Sequence, residues 1–342
     1  MKICVYGAGA VGGVVGGLLS AAGEHEVSLV ARGAHLQAMQ ANGLKLECIG
    51  RNTRIVPVRA TAEPAELGVQ DCVIITLKAH QAVGETARIA RHLLGPDTTV
   101  VTAMNGVPWW YFYRHPAPWT DRRVPAVDPG DTQWRRIGPE RVLGCVVYIA
   151  ASVPEPGTAR YAPMDGEGGL QGLLLGEPDG RASERLQRVV AALAGAGVRA
   201  SAREAIRRDT LIKLWGNVSF NPVTALTLTD VGGVVSDPAV SAVIRAMMLE
   251  ITAIGAALGV EFDITPEILL ARARSASGHR SSMHQDMDKG RPLEIDALVR
   301  AVSEVGAMVG VPTPTIDTVL ALIALRARTA GLYQPTAIPM AD

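Results

Sequence analysis

Residues 2–12 read Lys2-Ile3-Cys4-Val5-Tyr6-Gly7-Ala8-Gly9-Ala10-Val11-Gly12. A short, mostly apolar run leads into three glycines spaced G-x-G-x-x-G, and small residues then continue to about Ala22. A glycine turn alone is common, but after a strand and at the opening of a helix it marks a dinucleotide-binding βαβ unit. Gly7 allows the tight turn, Gly9 lets the backbone approach a pyrophosphate, and Gly12 lets helix and strand pack closely. Ala8, Ala10 and Val11 fill the intervening positions. The helix start there offers free N–H groups and a partial positive charge to phosphates. The stretch predicts a Rossmann-type dinucleotide-binding domain.

Working outward, Val27–Ala31 reads as a second strand, with a helix from about Ala34. An NAD site usually places an Asp or Glu about twenty residues past the fingerprint, for the ribose 2′-hydroxyl. This chain has Ala31-Arg32-Gly33 instead. Arg32 suits a 2′-phosphate through its planar fork, so the expected cofactor is NADP (NADPH). Leu44–Cys48 and Arg54–Val58 alternate like a β-hairpin. Cys72–Leu77 and Thr99–Ala103 read as buried strands flanking a helix from about Gln81 to Leu94. Strands return at Val142–Ala151, Leu173–Gly176 and Val198–Ser201, with a helix near Ala182–Ala194. This alternation predicts an α/β fold with a parallel sheet.

Residues 107–139 break the rhythm. They hold seven of the fourteen aromatics, four of them tryptophans, among prolines and arginines. A loop this long is functional or disordered as a rule, and its aromatic load argues against disorder. With no second domain evident for these rings to enter, the segment reads as a lid, a partner-subunit contact or a loop pinned by its own tryptophans. Past about Ala202 the pattern turns helical, with one helix from near Arg203 to Asn221-Pro222 and another from Asp237-Pro238 to Gly259. Further helices open at Thr265-Pro266, run over 292–309 and start near Pro314. The expected division is a Rossmann domain over 1–202, carrying the aromatic insertion, and an all-helical substrate and catalytic domain over 203–342.

Lys+Arg and Asp+Glu both number 33, which gives no global attraction to nucleic acid or to an anionic membrane. Cys4, Cys48, Cys72 and Cys145 lack metal or redox spacing and read as buried thiols in a reducing cytoplasm. The seven histidines show no metal-ligand cluster. No uncharged apolar run approaches the roughly 20 residues of a membrane span, and the chain enters its first strand directly after Met1. The expectation is a cytoplasmic protein with a small-molecule partner, with no nucleic acid, membrane or metal; a homodimer stays open.

Lysine occurs only at 2, 45, 78, 213 and 289. In so arginine-rich a chain each lysine is a functional candidate. Lys213, Asn217 and Asn221 are spaced i, i+4, i+8 and share one helix face. The ordinary reading of a helix lysine is a solvated side chain. Apolar neighbours, and two of the chain's five asparagines on the same stripe, weigh against it.

These pieces together resemble the ketopantoate reductase (2-dehydropantoate 2-reductase) family. The matching segments are Gly7–Gly12, Thr76-Leu77-Lys78-Ala79-His80-Gln81, Asn105-Gly106-Val107, Lys213 with Asn217, Asn221 and Pro222, Ser281–Asp286, and Glu294-Ile295-Asp296. The resemblance implies that Lys213 protonates the carbonyl oxygen as hydride arrives, acting as general acid and electrostatic stabiliser. It implies that Glu294 holds the substrate hydroxyl and orients the lysine, though a first-turn acid favoured by the helix dipole looks the same in sequence. Asn217, Asn221 and Ser282 match groups that bind the carboxylate and hydroxyl of a 2-oxo acid, while a plain helix cap is the other reading of Ser282. Lys78 and Asn105 match residues facing the nicotinamide side of the crevice.

Two features depart from the family pattern. Val299-Arg300 stands where an Asn-Gly pair is usual, and the segment after Val107 is long. The implied reaction is NADPH-dependent reduction of ketopantoate to pantoate, towards pantothenate. The alternatives are a sister dehydrogenase for another 2-oxo or hydroxy acid and a non-catalytic NADP-binding sensor.

Overall fold

A computed structural model describes residues 1–164, 172–274 and 278–335. The chain groups into two compact units. One holds Met1–Met104, Trp110–Arg122 and Thr132–Arg207; the other holds Asn105–Trp109, Arg123–Asp131 and the chain from Arg208 onward.

The first unit begins β1 (Lys2–Tyr6), α1 (Ala10–Ala22), β2 (Glu26–Val30), α2 (Gly33–Asn42), β3 (Leu44–Cys48), β4 (Arg54–Val56) and β5 (Arg59–Thr61). It continues β6 (Cys72–Ile75), α3 (Ala79–Leu93), β7 (Thr99–Thr102), α4 (Thr132–Arg136), β8 (Val142–Tyr148), β9 (Ala151–Ser152) and β10 (Thr158–Tyr161). It closes with β11 (Gly172–Gly176), α5 (Glu184–Gly195) and β12 (Ala200–Ala202). The main sheet runs β12-β11-β8-β7-β6-β1-β2-β5 and is parallel except at the β8–β11 pair. Strands β6 and β7, Cys-Val-Ile-Ile and Thr-Val-Val-Thr, are buried along their whole length, as β-branched central strands of a covered parallel sheet should be.

Register fixes the functional edge. Tyr6 pairs with Val30 on one side and Ile75 on the other, so β1, β2 and β6 end level. Gly7, Arg32 and Lys78 therefore leave the sheet from the same edge, where open α/β sheets bind ligands.

A second sheet runs β4-β3-β10-β9. The expected β3–β4 hairpin is there, antiparallel, but its second strand stops at Val56 instead of Val58. Pro57 has no N–H to donate, and the chain past it joins the main sheet as β5 beside β2. Strand β10, Thr-Ala-Arg-Tyr, pairs parallel with β3; its four residues carry no pattern by which the sequence announces a strand.

The second unit is helical: most of α6 (Ile206–Thr227), then α7 (Val231–Ser236), α8 (Pro238–Ala257), α9 (Pro266–Arg274), α10 (Ser282–Asp288), α11 (Ala301–Val309) and α12 (Pro314–Thr329). Helix α8 starts as its sequence predicts, with Asp237 accepting from the N–H groups of Ala239 and Val240 at 2.9 Å. By length and composition α8 could cross a membrane. Its two charges are used inside this unit, Arg245 pairing with Glu267 at 2.7 Å and Glu250 accepting from the N–H groups of Thr315 and Ile316.

Two helix ends differ from expectation. Helix α6 continues past Pro222 to Thr227. The proline costs a hydrogen bond, about 3 kcal/mol in an isolated helix, but the turn beyond it buries Val223 and Ala225. The Thr224 hydroxyl also donates to the carbonyls of Phe220 and Asn221. The segment expected to be helical from Pro292 is irregular through Glu294 and turns helical only at Ile295; it stops at Gly310 as foreseen, in the left-handed conformation.

The aromatic insertion is not a free loop. Trp109, Trp110, Tyr111 and Phe112 are all buried. The indole N–H of Trp110 donates to the Thr102 hydroxyl at 2.7 Å, and Arg207 donates to the carbonyls of Tyr111 and Tyr113. The Arg123–Asp131 stretch belongs to the second unit, where Ala126 N–H donates to the Glu304 carboxylate at 3.0 Å. These four rings pack within the chain, so the picture of aromatics lacking a place to pack is corrected. A lid or subunit contact built from those rings would need them exposed.

Candidate active site

The fingerprint turn forms as its residues dictate. Gly7 has φ +104°, a conformation strained for any side chain. The N–H groups of Gly7 and Ala8 both reach the Val30 carbonyl, pinning the turn to the end of β2. A Cβ on Gly12 would lie 2.3 Å from the Thr76 hydroxyl and 2.4 Å from Gly7 O. That hydroxyl donates to Gly7 O at 2.7 Å, so Thr76 braces the turn from β6. Gly9 is different: a Cβ there would meet only Gly7 O, at 3.9 Å, and the residue is exposed. Protein packing does not demand that glycine, whereas a phosphate lying against the backbone would. The first amides of α1 lie just beyond, at Ala10 and Val11, without intrahelical acceptors. The turn fits a dinucleotide pyrophosphate.

Arg32 precedes α2 in extended conformation, is exposed, and its guanidinium meets no described side chain or carbonyl. One turn on, His35 accepts from Gly157 N–H through Nδ1 at 2.9 Å, and burial pushes its pKa down. Lys78 is half-buried at the start of α3, its carbonyl accepting from the N–H groups of Gln81 and Ala82.

The other candidates lie in the second unit. Lys213 Nζ donates to Asn105 Oδ1 at 2.7 Å in a part-buried setting. Asn105 is held from behind by Gly106 and Val107. Gly106 has φ +97°, and a Cβ on it would sit 2.5 Å from Ala297 O, the carbonyl that accepts from Val107 N–H at 3.0 Å. The Asn-Gly-Val segment thus joins Lys213 on α6 to the turn that follows Glu294.

Asn217 and Asn221 continue the Lys213 stripe, half-buried and buried. Neither carboxamide hydrogen-bonds any described group, while Trp215 and Ser219 on the opposite side of α6 are satisfied by Met248 O and Trp215 O. Their polar atoms are not among the fully enclosed ones that lack a partner, so they stay within reach of solvent. Such a pair suits a polar ligand.

Ser282 is exposed at the first position of α10. The capping role weighed for it belongs to Ser281, whose Oγ accepts from His284 N–H at 3.2 Å and shares a 2.7 Å hydrogen bond with Thr224 on α6. Glu294 is half-buried and immediately precedes the helix, a position that fits both an acid favoured by the helix start and a substrate ligand. Its carbonyl accepts from Leu298 N–H at 3.2 Å.

Residues the sequence left without a role are Thr76 and the cluster formed by Asp296, Arg300 and Tyr333. A hydroxyl at the end of β6 and facing a glycine turn was a readable signal for Thr76. The cluster gave none, since it joins residues 37 positions apart. Among the described residues no group of three or more His, Cys, Asp or Glu could hold a metal. All four cysteines are buried and outside any disulfide, and burial pushes the thiols of Cys4 and Cys72 up to about 12.

Comparison with known proteins identifies the family. The sequence model described as Ketopantoate reductase PanE/ApbA matches residues 3–170, and the one described as Ketopantoate reductase PanE/ApbA C terminal matches 205–327. A 2-dehydropantoate 2-reductase of Mesorhizobium japonicum is 48% identical over 333 residues, 97% of this chain and 100% of its own length. One from Archaeoglobus fulgidus is 30% identical, covering 94% of this chain and 96% of its own. A solved structure from Ralstonia solanacearum MolK2 superposes with a TM-score of 0.89 at 46% identity, over 97% of this chain and 99% of that one. The 2-dehydropantoate 2-reductase structure from Geobacter metallireducens does so with a TM-score of 0.81 at 26% identity, over 95% and 100%. With a glycine turn shaped for a dinucleotide, a lysine–asparagine pair and full-length relatives in agreement, the chain belongs to the ketopantoate reductase family.

Proposed function

We propose that this chain reduces 2-dehydropantoate to pantoate with NADPH, using Lys213 as the proton donor. The observation that carries the reading is the α6 stripe: an ammonium held at 2.7 Å by Asn105, followed on the same face by two carboxamides that no described group satisfies. An ammonium beside the carbonyl oxygen stabilises the charge that grows there and delivers the proton. Asn217 and Asn221, with the exposed Ser282 hydroxyl, offer uncharged donors to the substrate carboxylate and hydroxyl. Glu294 takes the substrate hydroxyl and orients Lys213. Asn105 fixes the lysine through its side-chain oxygen, which leaves its NH₂ for the substrate or the nicotinamide.

On the cofactor side, the amides of Gly7 to Gly12 cradle the pyrophosphate, Arg32 pairs with the 2′-phosphate, and Lys78 lies at the sheet edge facing the nicotinamide. NADPH, when bound, supplies the hydride. The proposed division is a cofactor domain over 1–202 and a substrate domain over 203–342, to which Asn105–Trp109 and Arg123–Asp131 also contribute. Four buried cysteines outside any disulfide fit a reducing cytoplasm. Homodimerisation, if it occurs, has to use surfaces other than the four buried rings of the insertion.

The test is NADPH oxidation across a panel of 2-oxo acids. 2-Dehydropantoate should give the highest kcat/KM, and NADPH should bind better than NADH by about 1.5–3 kcal/mol, the scale of a charge-assisted hydrogen bond. Arg32→Ala should narrow that gap by weakening NADPH. Turnover with another acid at higher kcat/KM would reassign the substrate, and no turnover at all would leave a sensor.

A further inference from the structure

The Glu294 carboxylate sits on a short irregular run tied to its neighbours at several points. Arg291 N–H donates to Asp286 O at 2.9 Å, and its guanidinium pairs with the Asp286 carboxylate at 2.9 Å, linking the run to α10. Leu293 N–H donates to Leu332 O at 3.0 Å, linking it to the chain past α12. Just beyond Glu294 the buried Asp296 Oδ1 accepts from Arg300 Nε at 2.8 Å and from the Tyr333 hydroxyl at 2.5 Å. Arg300 Nη2 donates to the same Tyr333 oxygen at 3.0 Å, closing a triangle. Over Asp296–Arg300 the helix opens with a widened i→i+5 turn in which Ala301 N–H reaches Asp296 O. Such turns are uncommon and cluster at functional sites, because they move side chains off the ordinary helical register.

We propose that Tyr333, with Arg300 and Asp296, forms a clasp that positions Glu294 for the substrate hydroxyl. The proposal rests on the reading of Glu294 given above. Three geometric facts carry it. The backbone bond from Leu332 enters the run one residue before Glu294, and the Tyr333 hydroxyl enters two residues after it, so the chain past α12 brackets the carboxylate. The wide turn sits directly downstream, and the two side chains that span it, Asp296 and Arg300, are the ones Tyr333 closes upon. Arg300 is also this chain's own solution, since a glycine at that position would have no side chain to join the triangle. A carboxylate on a run held this way keeps one direction. Tyr333, Arg300 and Asp296 are positioning residues, not catalytic ones.

The test separates positioning from mere stability. Tyr333→Phe keeps the ring and removes one hydroxyl. It should raise KM for 2-dehydropantoate and lower kcat/KM by roughly 5–50-fold, within what a small misplacement of a working group costs, while NADPH affinity stays within about twofold. In a Glu294→Gln background the same change should add almost nothing, because the group it positions is already lost. Arg300→Gln, which breaks another side of the triangle, should behave alike and serves if Tyr333→Phe folds poorly. A lower Tm with unchanged kinetics, or an equal loss in both backgrounds, overturns the clasp. If Glu294→Gln is costly and Tyr333→Phe and Arg300→Gln are silent, the clasp alone falls. If Glu294→Gln is itself silent, the reading of Glu294 falls and takes the clasp with it.

Discussion

Two sets of polar side chains in the second unit are treated in opposite ways. On α6, Asn217 and Asn221 are buried or half-buried with carboxamides that no described group meets. Around the start of α11, Asp296, Arg300 and Tyr333 satisfy one another completely enough that burial and the Asp296 carboxylate push the Tyr333 phenol up to about 12. The stripe's carboxamides have no described protein partner, whereas Arg300 gives two of its N–H groups, and Tyr333 its hydroxyl, to the triangle. On the proposed function the first set meets the substrate, and on the proposed clasp the second holds the frame. Substitutions should therefore separate: changes on the stripe should act on catalysis and affinity, and changes in the triangle should act on stability and on what the triangle positions.

The largest effect falls on the stripe. Lys213→Ala should lower kcat by about 10²–10⁴, the contribution of a positioned general acid, with Tm and NADPH binding nearly unchanged. Lys213→Arg should also be slow, because a guanidinium holds its proton near neutral pH. Turnover close to wild type would return Lys213 to a solvated helix lysine. On the other side of the comparison, Asp296→Ala should cost about 3 kcal/mol of stability, the low end for removing one partner of a buried pair because Arg300 keeps some contact with water. Denaturant unfolding gives that number, and a loss under about 1 kcal/mol would mean the triangle is not a frame.

A smaller effect sharpens the boundary of the frame. Burial pushes the Glu304 carboxyl above the usual carboxylate range, against the opposing pull of Ala126 N–H and the nearby Arg300, while Asp296 adds to the rise. A carboxyl raised in the folded state stabilises the fold below its unfolded pKa, and that contribution is lost as pH climbs through the raised value. Glu304→Gln keeps an acceptor for Ala126 but does not ionise. Its Tm relative to wild type should therefore rise as pH climbs above the ordinary glutamate value, about 4.3. A flat difference would show that the Arg123–Asp131 stretch does not depend on this charge.

How much of this could be read from the chain follows the range of the interactions. The fingerprint was legible because strand, turn and helix start are contiguous and each glycine answers a local demand. The α6 stripe was legible because a helical period links Lys213, Asn217 and Asn221 without reference to the rest of the fold. Helix α8 announced itself through Asp237-Pro238, a cap made by neighbours. What escaped depends on distant partners. Strand β10 exists because β3, over a hundred residues earlier, offers it an edge. The insertion's rings find Thr102 and Arg207, and Glu294 leaves the helix because Leu332 and Tyr333 hold its surroundings. Pro222 misled for the same reason: tertiary burial of the following turn outweighed a local breaker.

The central claim, that the unmet carboxamides are kept for the substrate, is tested most directly by calorimetric titration of the NADP⁺-bound protein with pantoate, in wild type and in Asn221→Ala. The account predicts that Asn221→Ala weakens pantoate binding by about 10–100-fold, the value of a hydrogen bond to a charged group, while Tm in the absence of ligand is unchanged or higher. Equal pantoate affinity together with a lower Tm would show that Asn221 serves the fold, and would contradict it.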